Sequence, residues 1–227
     1  MKEKENMSVQ YPGDYEAKKL IVELGRRLYE RGFVASNDGN ISCKVSENEI
    51  WCTPTGVSKG YMTEDMMVKM DLDGNILKGT AKPSSEIKMH IRVYQENPEV
   101  GGVVHAHPPI STAYACAGVP LDVPILAEAV VQLGEVPLAP YAVPGTQEVP
   151  DSIAPFCRTH NAVLLENHGA LAWGPDALTA LHRMESVEFY ATTLLNTKLI
   201  GRMAQLDREQ IDVLAMRAMA TTRPGPR

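Results

Sequence analysis

Apolar residues recur at helical spacing in three segments of the chain. In residues 14–31 they fall on one face, with charged residues on the other, and Gly32 follows as a stop signal. Residues 85–96 show apolar spacings of four and three and end just before Pro98. Residues 175–200 begin at a Pro-Asp pair and repeat an apolar face over many turns. The spacing therefore predicts three helices.

Short runs of β-branched and aliphatic residues predict five strands, at residues 41–45, 49–53, 68–72, 102–106 and 162–165. The last two are compact and apolar, as expected of strands in a buried central sheet, although periodicity alone does not exclude helix for such short pieces. Strands mixed with helices indicate an α/β protein. Without internal repeats or low-complexity linkers, the sequence predicts a single domain over residues 1–227, with a loose leader at 1–12 and a loose tail at 220–227.

Composition and charge argue against several classes of function. A net charge of -6 and a pI near 5.5 leave no general basic surface for nucleic acid or lipid headgroups. No stretch reaches the roughly 18 uncharged apolar residues of a membrane-spanning helix. The four cysteines lie far apart, which favours reduced thiols over a zinc ribbon. These features predict a soluble cytoplasmic protein that binds neither nucleic acid nor membrane.

Histidines at strand ends are the main candidates for chemistry. His105 and His107 lie two residues apart at the end of an apolar run, and the period of two in a strand turns both rings to one face. His168 follows the predicted strand 162–165 on a glycine-containing turn. Three imidazoles that leave a fourth position open are typical of catalytic zinc, with manganese, cobalt or iron as alternatives. The competing interpretation is ordinary core or surface histidines.

Glu86 stands near the start of the predicted helix 85–96, after two serines. Amides at a helix N-terminus favour negative charge, and the hydroxyls of Ser84 and Ser85 can bind phosphate oxygens. A simple helix cap is an equally good interpretation. His90 lies four residues beyond Glu86 on the same helical face, and we interpret it as a packing or supporting residue rather than a metal ligand.

Two further segments, residues 37–42 and 53–56, combine glycine with small hydrogen-bonding side chains, as an anion-binding turn requires. Each by itself is also an ordinary turn. Taken in chain order, five motifs resemble the class II aldolase/adducin family: G-N-x-S at 39–42, T-P-T-G at 53–56, P-S-S-E at 83–86, H-x-H at 105–107 and N-H-G at 167–169.

The resemblance implies both a fold and a site. The implied fold is α/β, with three layers (α/β/α) around a central mixed, largely antiparallel sheet, assembled as a homotetramer with active sites at subunit interfaces. Zinc would be held by His105, His107 and His168, with Glu86 as a further ligand that leaves when substrate binds and becomes the catalytic acid/base. The family pattern assigns the substrate phosphate to Asn37, Gly39, Asn40, Thr55, Gly56, Ser84 and Ser85.

The implied activity is reversible cleavage of a ketose 1-phosphate to dihydroxyacetone phosphate and an aldehyde. L-fuculose 1-phosphate and a 5-deoxypentulose 1-phosphate are the candidate substrates. In the family pattern a tyrosine contacts the aldehyde portion of the substrate and protonates its oxygen. Residues 123–128 lack this tyrosine, which favours the deoxy sugar. A methylthioribulose-1-phosphate dehydratase and a pentulose-phosphate 4-epimerase are alternatives, the latter with aspartate at the Glu86 position. A non-catalytic, adducin-like interaction module is disfavoured because the three histidines and Glu86 are all present.

Overall fold

The computed structural model of the protein describes residues 11–221, with side chains described to residue 216. In this range the strands are β1 Asn40–Lys44, β2 Glu49–Cys52, β3 Val68–Asp71, β4 Ile76–Lys78, β5 Gly102–Ala106, β6 Leu138–Ala139, β7 Ala162–Leu165 and β8 Gly169–Gly174. The α-helices are α1 Asp14–Glu30, α2 Ile87–Glu96, α3 Pro109–Cys116, α4 Ala127–Gln132, α5 Glu148–Ile153, α6 Ala177–Ile200 and α7 Arg208–Thr221.

The strands form one sheet in the order β4-β3-β2-β1-β5-β8-β7-β6. Neighbouring strands are antiparallel, except that β6 and β7 are parallel. This confirms the predicted mixed, largely antiparallel sheet. The register places Asn40 of β1 opposite His105 of β5, and Ala106 of β5 opposite Ala170 of β8. Three strands that carry or adjoin predicted site residues therefore lie side by side.

Helices cover both faces of the sheet, because side chains along each buried strand alternate between two cores. On β5, Val104 and Ala106 belong to the core that contains residues of α1, α3 and α6. Val103 belongs to the opposite core, which contains residues of α2 and α5. The predicted three-layer α/β/α arrangement is confirmed. Alternation gives His105 the face of Val103, so its ring lies on the side of α2, where Glu86 precedes the helix.

The longest helix, α6, packs closely against the sheet because glycine leaves room for it. A Cβ atom on Gly102 of β5 would lie 2.2 Å from the Cα atom of Ala177, the first residue of α6. Asp176 caps the helix by accepting a hydrogen bond of 2.7 Å from the backbone N–H of Thr179. The helix ends at Ile200 and is followed by the C-cap residue Gly201, whose φ of 80° few other residues adopt.

The predicted helices and strands are all present, with bounds that shift by one or two residues. The prediction that residues 85 and 86 are helical was wrong, since α2 begins at Ile87 and Glu86 is its N-cap residue. The strands β4, β6 and β8 and the helices α3, α4, α5 and α7 were not predicted. In β8 the sequence Gly-Ala-Leu-Ala-Trp-Gly has no β-branched residue, so pairing with β5 and β7 determines its conformation.

The predicted loose ends fall mostly outside the described residues, which exclude 1–10 and 222–227. Residues 220 and 221 belong to α7, so this part of the predicted tail is helical. Among the residues that the structure describes, no helix combines the length and the apolar character needed to cross a membrane.

Candidate metal centre and adjoining cavity

Three histidines converge where β5 ends and the hairpin between β7 and β8 turns. His105 lies in β5, and His107 is the first residue after this strand. His168 lies in the turn just before Gly169. The Nε2 atoms of His105 and His107 are 3.0 Å apart. One nitrogen from each of the three rings lies within 4.8 Å of the others, a grouping that can hold a metal ion. The structure therefore brings together the three histidines that the motifs single out.

His105 is held in a form that can bind a metal. The ring is completely buried, and its Nδ1–H donates a hydrogen bond of 2.9 Å to the carbonyl oxygen of Ala170. Because a carbonyl only accepts, this contact leaves the lone pair on Nε2, the atom that faces His107. Burial lowers the pKa of His105 to about 3, so the ring is neutral at neutral pH.

Glu86 faces two of these histidines from the start of α2. Its Oε1 lies 3.0 Å from Nε2 of His168, and its Oε2 lies 3.5 Å from Nε2 of His105. Burial by itself raises the pKa of Glu86, but His105, His168 and the Asn40 amide together outweigh burial and hold this pKa well below its usual range. The side chain is therefore a carboxylate, the form that can bind a metal or accept a proton.

A chain of hydrogen bonds among side chains of β1 and α2 supports Glu86. Asn40 Nδ2 donates to Glu86 Oε2 at 2.8 Å, and Asn40 Oδ1 accepts from His90 Nε2 at 2.5 Å. The remaining nitrogen of His90 then accepts from the Ser42 hydroxyl at 2.7 Å, and Ser42 lies 2.8 Å from the Tyr94 hydroxyl. Burial lowers the pKa of His90 to about 3, so it is a neutral link. His90 thus supports Glu86 through Asn40, as its position in the sequence suggested.

A polar cavity of about 240 Å³ adjoins the histidines. Gly39 and Gly56, with φ of 75° and 74°, lie in two turns that line the cavity, which we call the glycine turns. All the residues predicted to bind phosphate line this cavity, together with Glu86, His107 and His168. The Asn40 amide already uses both ends on Glu86 and His90, so a contact with phosphate would require it to release one of these partners.

Sequence reasoning missed two charged residues of this cavity. Asp38 and Lys59 both line it. Asp38 Oδ2 lies 3.5 Å from Nδ1 of His107, and the position of Asp38 within the 37–42 motif could have indicated this role. No local pattern marks Lys59, because its burial depends on contact with α1, which lies far away in the sequence.

The packing of His107 requires glycine at the start of β8. A Cβ atom on Gly169 would lie 2.5 Å from Cδ2 of His107 and 2.7 Å from the carbonyl oxygen of Ala106. We predict that Gly169→Ala displaces the His107 ring and lowers metal affinity about tenfold or more. The free energy of unfolding should fall by about 1–3 kcal/mol, as in other overpacked sites. Zinc titration and denaturant unfolding measure the two effects.

Gly174→Ala is the matched control at the other end of β8. Its Cβ atom would also be crowded, 3.0 Å from Cγ2 of Thr179, but Gly174 does not adjoin the histidines. This variant should lose stability and keep the metal affinity of the wild type. If Gly169→Ala binds zinc as tightly as Gly174→Ala, the positioning of His107 does not depend on the glycine.

Most of the chain matches the model of a known protein family. Residues 19–195 match the family model described as Class II Aldolase and Adducin N-terminal domain, a range that contains every residue of the site. The chain belongs to the class II aldolase and adducin family. The resemblance seen in the five sequence motifs is thereby confirmed.

Relatives within the class II aldolase and adducin family carry two different activities in their names. The 3-oxo-tetronate 4-phosphate decarboxylase of Haemophilus influenzae is 35% identical over 180 residues, which cover 77% of this chain and 85% of the relative. The L-fuculose phosphate aldolase of Methanocaldococcus jannaschii is 32% identical over 180 residues, 79% of this chain and 96% of the relative.

The fold agrees with that of solved aldolases. A structure described as L-fuculose 1-phosphate aldolase superposes with a TM-score of 0.84 at 30% sequence identity, covering 92% of this chain and 98% of that one. The predicted fold class and the prediction of a class II aldolase-type enzyme are confirmed by these relatives.

Proposed function

We propose that the protein reversibly cleaves a ketose 1-phosphate to dihydroxyacetone phosphate and an aldehyde, with zinc as cofactor. L-fuculose 1-phosphate and a 5-deoxypentulose 1-phosphate are the proposed substrates. One observation carries the proposal: the Glu86 carboxylate lies within 3.5 Å of both His105 and His168 and beside a polar cavity. A proton acceptor, a metal site and an anion site are then adjacent, as cleavage next to a phosphorylated ketone requires.

The donor chemistry of the site fits a divalent metal. Three imidazoles and one carboxylate suit zinc, with manganese, cobalt and iron ions as alternatives. We assign His105, His107 and His168 as ligands and Glu86 as a further ligand that substrate displaces. A divalent cation bound there supplies a Lewis acid that polarises the ketone carbonyl and stabilises negative charge on its oxygen.

Glu86 moves the proton in this proposal. In the condensation direction its carboxylate takes a proton from the hydroxymethyl carbon of dihydroxyacetone phosphate, and the electron pair left on that carbon forms the bond to the aldehyde carbon. The aldehyde oxygen takes up a proton from solvent as it becomes a hydroxyl group. In the cleavage direction the hydroxyl group on the leaving carbon loses its proton to solvent and becomes the aldehyde oxygen. The electron pair of the broken bond stays on the carbon of dihydroxyacetone phosphate, and Glu86 gives the proton back to that carbon. The amide of Asn40, 2.8 Å from Oε2, keeps the carboxylate oriented.

The substrate phosphate occupies the cavity of about 240 Å³ beside Glu86. Its walls include the hydroxyl-bearing residues Thr55, Ser84 and Ser85, whose side chains can donate hydrogen bonds to an anion. The residues assigned to the phosphate are Asn37, Gly39, Asn40, Thr55, Gly56, Ser84 and Ser85.

Decarboxylation of a 3-oxo-tetronate 4-phosphate is the second candidate, favoured by the 35% identity to the Haemophilus influenzae enzyme of that name. This substrate has a ketone next to its phosphate-bearing carbon, as a ketose 1-phosphate does. Its leaving group is carbon dioxide, which departs without a proton transfer on the leaving side. In the family pattern a tyrosine transfers the proton of the aldehyde portion, and residues 123–128 contain no tyrosine. Its absence agrees with decarboxylation, which has no aldehyde portion.

Two other enzymatic activities and one non-catalytic role are kept as outcomes of the test. A methylthioribulose-1-phosphate dehydratase uses a similar set of histidines and a glutamate. A pentulose-phosphate 4-epimerase is disfavoured because Glu86 stands where its pattern has aspartate. A non-catalytic, adducin-like module is disfavoured by the presence of the complete histidine set.

The proposal includes a homotetramer in the cytoplasm, with active sites at subunit interfaces. Apolar side chains on α6 are available for such an assembly: Phe189 is 65% exposed, and Leu199 and Ile200 are each 76% exposed. Exposed apolar surface of this kind is typical of an interface. Multi-angle light scattering measures the number of subunits.

A small substrate panel tests the activity. We expect release of dihydroxyacetone phosphate from L-fuculose 1-phosphate or 5-deoxyribulose 1-phosphate, abolished by chelator and restored by zinc. Carbon dioxide release from 3-oxo-tetronate 4-phosphate would establish the second candidate instead. Consumption of a sugar phosphate without either product would point to epimerase or dehydratase activity, and no consumption at all would contradict an enzyme.

A further inference from the structure

Lys59 is a buried cation that connects the two glycine turns of the cavity. The residue is only 1% exposed. Its Nζ donates hydrogen bonds to the carbonyl oxygen of Asn37 at 2.9 Å and to that of Val57 at 2.7 Å. Asn37 belongs to the turn around Gly39, and Val57 directly follows Gly56. One ammonium group therefore ties together the backbone of both turns.

The lysine is held in place by close packing against α1. A Cβ atom on Gly25 of α1 would lie 2.9 Å from the carbonyl oxygen of Lys59 and 3.6 Å from its Cβ atom. Burial lowers the pKa of Lys59 to about 8, although Asp38 and Glu86 oppose this shift. Burying an ammonium group costs free energy unless it is well paired. The two carbonyl partners of Lys59 are neutral, so an anionic partner would offset this cost further.

Charge in the cavity identifies that partner. Asp38 and Glu86 are the acidic residues of the lining, and Lys59 is its one lysine or arginine among the residues that the structure describes. A phosphate dianion placed beside two carboxylates needs a nearby cation to offset the repulsion. An ammonium group has three N–H donors, and two of them are used on carbonyl groups in the described part of the chain. The described part of the chain shows no acceptor for the third, and Lys59 lines the cavity in which an anion would bind.

We propose that Lys59 is the cationic residue of the substrate phosphate site. Its ammonium group holds the two glycine turns together and supplies the positive charge that the phosphate dianion requires. The inference rests on the proposed function, because it concerns the phosphate site assigned there. It adds a charged residue to a set that otherwise consists of neutral groups. Binding of any phosphate monoester in the cavity should then depend on Lys59.

Binding of inorganic phosphate to the zinc-loaded protein tests the proposal without requiring turnover. Lys59→Met keeps roughly the length of the side chain and removes its charge, and Lys59→Gln removes the charge but keeps an uncharged NH2 group that can donate. We expect calorimetry to give a phosphate Kd about ten- to a hundredfold higher in Lys59→Met. With an active substrate, KM should rise by a similar factor while kcat changes by less than about threefold. Zinc content should stay at the wild-type level.

Lys44→Met controls for the loss of a buried ammonium group. Lys44 is 3% exposed and donates to the carbonyl oxygen of Pro98 at 3.3 Å, but it does not line the cavity. This variant should bind phosphate as the wild type does. If Lys59→Met fails to fold, carbon NMR of labelled lysines in the wild type replaces it, because phosphate should shift the Cε signal of Lys59 and leave that of Lys44 unchanged.

The outcomes separate this inference from the proposed activity. Equal phosphate affinity in wild type, Lys59→Met and Lys59→Gln would overturn the role of Lys59 and leave the activity untouched. Weaker phosphate binding in the Lys59 variants of a protein that turns over no substrate of the panel would support Lys59 and overturn the proposed activity. Absence of phosphate binding in the wild type would overturn both the inference and the phosphate site on which it rests.

Discussion

Replacing His168 with alanine is expected to remove most of the bound metal and all metal-dependent turnover. His168 supplies one of three nitrogens that lie within 4.8 Å of one another, and its Nε2 also lies 3.0 Å from Glu86 Oε1. Loss of a residue that merely supports a ligand commonly costs 10–100-fold in metal affinity, so loss of the ligand should cost at least about a hundredfold. Elemental analysis after dialysis, and assays with added zinc, measure both effects.

His182→Ala provides the control for this experiment. His182 is exposed on α6, does not line the cavity and lies outside the histidine cluster. We expect this variant to match the wild type in zinc content and in rate. If His168→Ala retained stoichiometric zinc at wild-type affinity, the three histidines could not be the metal site.

Changing Glu86 to glutamine is expected to separate metal binding from proton transfer. The three histidines are unchanged, so the variant should retain zinc, although more weakly because a carboxylate is lost. A glutamine cannot take up the proton, and turnover should fall by about 10² to 10⁴, the usual contribution of a general acid or base. In the wild type the Asn40 amide donates to Oε2 of Glu86 at 2.8 Å. The glutamine oxygen can accept the same hydrogen bond, so the local packing should survive.

Glu166→Gln is the corresponding control in the hairpin that carries His168. Its carboxylate accepts a hydrogen bond of 2.8 Å from the backbone N–H of Tyr141 and does not line the cavity. This variant should keep zinc and turnover close to wild type. Unchanged turnover in Glu86→Gln, with Glu166→Gln also active, would remove Glu86 from the proton transfer and leave it at most a metal ligand.

The fold could be predicted best where local sequence and tertiary environment agree. The helices α1, α2 and α6 and the strands β1, β2, β3, β5 and β7 follow from apolar periodicity and from β-branched residues, which favour those conformations locally. The strand β8 could not be predicted this way because alanine and glycine dominate it. Only its two antiparallel neighbours, β5 and β7, define it as a strand.

The site, too, has some features that local sequence predicts and others that only tertiary packing decides. The spacing of His105 and His107 is local, so the sequence by itself indicated that both rings share one side of a strand end. Ordered motifs also indicated the family, which the match over residues 19–195 confirms. In contrast, His168 reaches the other two histidines because β8 pairs with β5, a contact between segments that are distant in the chain.

The sequence alone indicated the candidates for the site: three histidines, one glutamate and two glycine turns, which five short motifs in chain order single out. Tertiary structure alone decided how several of them are used. Because β1 pairs with β5, Asn40 lies opposite His105, and its amide bonds Glu86 and His90. Because α1 packs against the backbone of Lys59 and two turns accept hydrogen bonds from its ammonium group, this side chain is buried. Burial and hydrogen-bond partners depend on long-range packing, and no local pattern encodes them.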